Sequence, residues 1–217
     1  VDSLGYELAQ GLGADTVGDG EALVQFVRWL RERIGELGAS DYQPTIHLDV
    51  HGFLGRIYEN NLGRILGYLY RLESHVQPYR LRIESPVVMD SREAQIETMK
   101  TLREYVKFRK MSVELVADEW ANTLDDVRAF LAAQAADMIH VKMPHLGSVH
   151  NSVDAVLSCK EGHVGAFLGG GCNETDISAR VTAHVALATV PDVAMAKPGE
   201  SVAPGTRIVF HQRAHPP

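Results

Sequence analysis

Three acidic residues stand at the ends of three short apolar runs: Asp49 after "TIHL", Glu84 after "YRLRI" and Asp118 after "VELVA". If the runs are neighbouring strands, their tips lie about 4.8 Å apart and the three carboxylates can converge on one cation. Three hard oxygen ligands select Mg²⁺ or Mn²⁺, with water or substrate completing an octahedron. The competing explanation is that an acid after a strand caps the helix that follows. That accounts for one such residue more easily than for three in the same place.

A fourth run, "MIHVKMP", ends in Lys142, with His140 two residues earlier on the same face of a strand. A divalent cation nearby disfavours the ammonium form of a lysine and suits it to act as a general base. A lysine there could also pair with one of the metal's carboxylates, and both roles can hold at different stages of a cycle. Metal opposite lysine is the arrangement needed to remove a proton next to a carboxylate while the metal stabilises the resulting enediolate.

The stretch "TIHLDVHG" places His47, Asp49 and His51 at alternate positions, which raises a zinc site as an option. Zinc would want histidines or cysteines from other strands, and the next two strands offer carboxylates instead. Asp49 is therefore the expected ligand. His47 lies one layer deeper and reads as a hydrogen-bonded core histidine, and His51 as a loop residue facing substrate.

The elements that must position these residues form a repeating unit. An amphipathic helix, "GDGEALVQFVRWLRERIGELG", carries Leu23, Phe26, Val27, Leu30 and Ile34 on one stripe, read as core packing together with the rest of "LVQFVRWL". Five apolar runs then alternate with helical stretches, and "DVAMAKPG" is a weaker sixth. Such alternation predicts βαβ units around a parallel sheet. No Gly-x-Gly-x-x-Gly follows the first run, and the Gly-rich "GAFLGGGCNET" lacks the Lys-Ser/Thr of a phosphate loop. A (β/α) TIM-type barrel, with its active site at the C-terminal strand ends, fits better. Six strands are fewer than eight, so a barrel incomplete at its N-terminus is expected.

Composition excludes several function classes. The 217 residues are 45% hydrophobic and 23% charged, ordinary for a globular protein. A net charge of −7 argues against nucleic acid or an anionic membrane as partner. Neither a bilayer-spanning run nor a signal peptide is recognisable. Cys159 and Cys172 form no disulfide framework, and a reduced pair in the cytoplasm is expected. His145, His150, His163 and His184 read as surface residues. Glu119 is either a partner of the metal ligands or a helix-start acid, and Asn173 and Glu174 either cap the next helix or reach the site.

The segments "HLDVHG", "RIESP", "VADEWANT", "VKMPHLGSVHNSVDAVLSC", "GGGCNETDISAR" and "HVALA" resemble the methylaspartate ammonia-lyases of the enolase superfamily, in order, from about residue 20 to about residue 210. The resemblance implies reversible, Mg²⁺-dependent elimination of ammonia from 3-methylaspartate to give mesaconate, with K⁺ as a possible activator. It implies that Asp49, Glu84 and Asp118 bind Mg²⁺ and that Lys142 takes the proton from the carbon beta to the amino group. It places the substrate's carboxylates against His140, Gly171 and Cys172. A homodimer acting on a small amino acid, and no nucleic-acid or membrane partner, completes the expectation.

The sequence departs from the family at positions that bear on substrate. The family usually has Gln where this chain has His140, Thr where it has Gly171, and Tyr where it has His51. These changes leave open another lyase, dehydratase or racemase of the superfamily acting on a related amino or hydroxy acid. The family also has an N-terminal capping domain and early strands bearing a second catalytic histidine. Residues 1–217 are expected to form the C-terminal barrel portion without them, and so to be weakly active or an inactive metal-binding fragment when isolated.

Overall fold

Alternating strands and helices account for nearly all of the chain that the structure, a computed structural model, describes: residues 3–7, 20–169 and 175–195. The chain divides into two compact units on either side of the 116/117 bond.

The first unit holds β1 (Ser3–Glu7), α1 (Glu21–Leu37), β2 (Thr45–Asp49), a short α2 (Phe53–Ile57), α3 (Leu62–Val76), β3 (Arg80–Glu84) and α4 (Arg92–Phe108). It ends in β4 (Val113–Ala117), whose last residue opens the second unit. β1 to β4 pair in sequence order and in parallel, each strand feeding a helix before the next. Ile46, Leu48, Leu81, Ile83 and Leu115 on the strands are buried, as are Leu23 and Val27 of α1, Ile65, Leu69 and Leu72 of α3, and Met99 and Leu102 of α4. The register puts these five strand residues on one face of the sheet, the apolar face that a parallel sheet with helical crossovers covers with its helices.

The second unit holds α5 (Leu124–Ala133), β5 (Met138–Lys142), α6 (Val149–Glu161), β6 (Gly165–Gly169), α7 (Asp176–Thr189) and a two-residue β7 (Val193–Ala194). β5 to β7 are again parallel and sequential. α6 packs on β5, β6, α5 and α7, burying Ala155, Val156 and Cys159. Burial and then the nearby Asp192 carboxylate push the Cys159 thiol up to about 12.

Two elements differ from the sequence-based expectation. β1 is a strand in the opening stretch, paired with β2 from Ser3↔Thr45 to Glu7↔Asp49. α2 interrupts the connection between β2 and α3. The α1 stripe is also only partly core: Leu23, Val24, Val27 and Ile34 are buried, whereas Trp29 is half exposed and tilts against Phe26 with ring centroids 5.8 Å apart.

The helices from α3 onward are capped by dedicated polar residues, while α1 and α2 begin at Gly20 and Gly52 without a side-chain cap. Asn61 Oδ1 accepts from Arg64 N–H at α3 and Ser91 from Ala94 N–H at α4. Thr123 and Asp126 form a reciprocal capping box at α5, as Thr175 and Ser178 do at α7. Asp49, Glu84 and Asp118 cap none of these helices, so helix capping does not explain the strand-end acids.

Candidate active site

In the first unit the register sets Asp49 directly opposite Glu84, each the last residue of its strand. The loops beyond them are laced together. Val50 N–H donates to Glu84 O (3.1 Å), Gly52 N–H to Ser85 O (2.7 Å) and Gly55 N–H to Pro86 O (3.0 Å). Position 52 must be glycine: its φ is +70°, and a Cβ there would sit 2.7 Å from Val88 Cγ2. Asp49 Oδ1 accepts from the His51 backbone N–H at 3.2 Å, and Asp49 Oδ2 lies 3.2 Å from His51 Nε2. Glu84 is 3% exposed, and its Oε2 lies 2.7 Å from Nε2 of the equally buried His47.

In the second unit Asp118, His140 and Lys142 come together and are all buried. Lys142 Nζ is 2.6 Å from Asp118 Oδ1, and His140 Nδ1 is 3.3 Å from the same oxygen. The His140 ring stacks on Phe167 of β6, its register partner, with centroids 4.2 Å apart and planes 23° apart. Gly169 makes room for that ring, since a Cβ there would lie 2.5 Å from His140 Nε2. Both features follow from the β5–β6 register and have no signal in either strand alone.

Backbone strain gathers beside the acids. Among the described residues, the non-glycine residues with positive φ lie at helix ends or in the α2–α3 turn, with three exceptions: His51 (+43°), Ser85 (+49°) and Trp120 (+65°). Each stands one or two residues beyond Asp49, Glu84 or Asp118. Such conformations cost on the order of 1 kcal/mol or more and persist where surrounding structure enforces them, as at functional loops.

The remaining positions are peripheral or outside the described residues. His145 follows β5, its Nδ1 3.2 Å from Asn122 Oδ1, and partial burial and then the Lys142 ammonium push it below the usual histidine range. His150, on the surface of α6, pairs with Asp154 at 3.2 Å, and His163 and His184 are exposed. Glu119 lies in the turn closed by Ala121 N–H donating to Asp118 O. Gly171, Cys172, Asn173 and Glu174 lie outside the described residues; the cap of α7 is Thr175.

Parallel βα units with buried acids and a lysine at the strand ends define an α/β protein of the enolase-superfamily barrel class. The family model described as methylaspartate ammonia-lyase C-terminus matches residues 7–214, and the chain belongs to that family. It is 44% identical over 212 residues to methylaspartate ammonia-lyase 2 of Carboxydothermus hydrogenoformans, a match covering 98% of this chain and 51% of the relative. Among solved structures it resembles the Citrobacter amalonaticus methylaspartate ammonia-lyase containing (2S,3S)-3-methylaspartic acid, with a TM-score of 0.90 and 38% identity over 99% of this chain and 52% of that one. The Mg complex of beta-methylaspartase from Clostridium tetanomorphum gives 0.89 and 37%, again over 99% of this chain and 52% of that one. The chain thus spans about half the length of the relatives it matches.

Proposed function

We propose that this chain is the metal- and base-bearing part of an enzyme that eliminates ammonia from 3-methylaspartate to give mesaconate. The observation that carries the reading is the buried Lys142–Asp118 pair at a strand end, in a chain of this family. Asp49, Glu84 and Asp118 supply oxygen ligands suited to Mg²⁺, and K⁺ is a possible activator. The donor chemistry fits: Asp49 and Glu84 are register partners at adjacent tips, and Glu84, Asp118 and His140 are each buried and able to offer a ligand atom. Held by these residues, Mg²⁺ would supply charge neutralisation at a substrate carboxylate next to the carbon that loses its proton.

Lys142 Nζ, in its neutral form, takes the proton from the carbon beta to the amino group. The C–H electron pair then forms the new carbon–carbon double bond as the substrate's ammonium group leaves the neighbouring carbon with the C–N electron pair, as neutral ammonia. Asp118 holds the lysine at its station and stabilises the ammonium it becomes. His140, Gly171 and Cys172 are the proposed carboxylate contacts, and two protomers pair as a homodimer in the cytoplasm. Among the described residues no helix is long and apolar enough to cross a membrane.

A second reading, another superfamily lyase, dehydratase or racemase, is favoured by His140. Its ring is packed between Phe167 and Asp118, which limits its reach towards a substrate. The deciding experiment uses the full-length gene product and follows mesaconate from 3-methylaspartate with and without Mg²⁺, beside Lys142→Ala. Mg²⁺-dependent product that vanishes in the variant is expected. Metal binding without product would discard the substrate and leave the second reading or an inactive metal-binding fragment.

A further inference from the structure

The two buried histidines occupy equivalent places. His47 sits on β2 two residues before Asp49, and His140 on β5 two residues before Lys142. Neither is left to the apolar interior. His47 Nε2 meets Glu84 Oε2 at 2.7 Å across the β2–β3 step, and His140 Nδ1 approaches Asp118 Oδ1 at 3.3 Å. In both cases a histidine one layer below a strand tip reaches a carboxylate that closes or follows another strand.

We propose that His47 is a positioning residue: from beneath, it fixes the direction of the Glu84 carboxylate and so tunes the affinity of the strand-end acids for a divalent cation. The inference rests on the reading of Glu84 as a metal ligand and goes beyond it to a residue outside the ligand set. An ionised carboxylate only accepts, so the ring donates from Nε2. That single bond anchors Oε2 and removes the rotation a glutamate otherwise has about its last bond. Glu84 is the longest of the three acids and the one with most freedom to lose. The backbone beside it is already fixed, by Val50 N–H on Glu84 O and Ser85 N–H on Val116 O (3.2 Å). His47 supplies the side-chain half of that constraint. Partners of this kind behind a metal ligand typically change metal affinity by about 10–100-fold when removed. His140 stands to Asp118 as His47 stands to Glu84, which gives it a structural reason to be buried apart from any contact with substrate.

The test measures Mn²⁺ dissociation constants by electron paramagnetic resonance in the full-length protein, with Tm recorded for each variant. His47→Leu, which keeps volume and loses the donor, is expected to weaken Mn²⁺ binding by about 10–100-fold. His47→Gln, whose amide nitrogen can reach the place of Nε2, is expected to recover most of that loss. If His47→Leu does not fold, His47→Asn, whose amide stops short, takes its place with the same expectation. A folded variant lacking the donor that binds Mn²⁺ as tightly as wild type overturns the proposal, as does a Gln variant no better than Leu. A wild-type protein that binds no Mn²⁺ sinks the metal reading itself, and this inference with it.

Discussion

The ammonium of Lys142 lies 2.6 Å from Asp118 Oδ1, and both groups are buried. A charged pair withdrawn from water holds only while both members remain. Removing one leaves the other charged and unsolvated, at a cost of about 3–5 kcal/mol. The same lysine is the base in the proposed reaction, so structural and catalytic losses have to be separated.

Lys142→Ala is expected to lower activity by about 10²–10⁴-fold, the usual contribution of a positioned acid or base, and also to lower Tm. Lys142→Arg separates the two effects. A guanidinium keeps the pair with Asp118 but does not give up its proton at any working pH. Its Tm should stay nearer to wild type while mesaconate formation is lost. Activity in Lys142→Arg close to wild type would remove Lys142 from the role of base.

Thr123 tests whether dedicated caps, rather than the strand-end acids, start the helices. Its hydroxyl accepts from Asp126 N–H at 3.1 Å while Asp126 Oδ2 accepts from Thr123 N–H at 3.0 Å. Thr123→Ala should cost about 1 kcal/mol, read from denaturant midpoints. Asp118→Asn, five residues earlier, should leave the propensity of α5 to form unchanged while disturbing the pair with Lys142.

The strand ends were legible because each acid or lysine closes a short apolar run, and period and composition together mark β2 to β6. The helices were legible from their stripes. β1 was not: "SLGYE" is as long as β2 to β6 but holds no β-branched residue and has a glycine at its centre, and it becomes a strand by pairing with β2. α2 is five residues long with Gly55 inside, below what periodicity can register. His47 reads from sequence as a core histidine, but its partner, Glu84, does not. That contact depends on the β2–β3 register and on a glutamate folding back towards the layer below. The half-exposure of Trp29 was equally hidden, since a helical stripe gives a face and not what covers it.

Gly169 is the residue through which β6 sets the His140 ring. A methyl group there would meet His140 Nε2 at 2.5 Å and Met195 Cε at 3.4 Å. The ring cannot retreat without giving up its stack on Phe167 or its approach to Asp118. Gly169→Ala is expected to destabilise the protein by about 1–3 kcal/mol, as overpacked interiors do, measured by chemical denaturation. Full stability in that variant would show that the ring moves freely and that its stacking is incidental.

Cys159 gives a prediction in which pH acts with a definite sign. Burial within α6 raises its thiol from an ordinary 9.0 to about 12, so the native protein keeps the proton where an unfolded chain loses it. The shift therefore costs nothing below about 9 and destabilises the fold progressively as pH rises from there towards about 12. At pH 8 the native thiolate fraction is about a thousandfold below that of an exposed cysteine, and the thiolate is the nucleophile. Iodoacetamide at pH 8 should leave Cys159 unmodified in the folded protein and label it quickly in denaturant, with peptide mapping to distinguish it from Cys172. Rapid labelling of Cys159 under native conditions would mean that α6 opens from the strands readily, contrary to the packing of Ala155, Val156 and Cys159 against them.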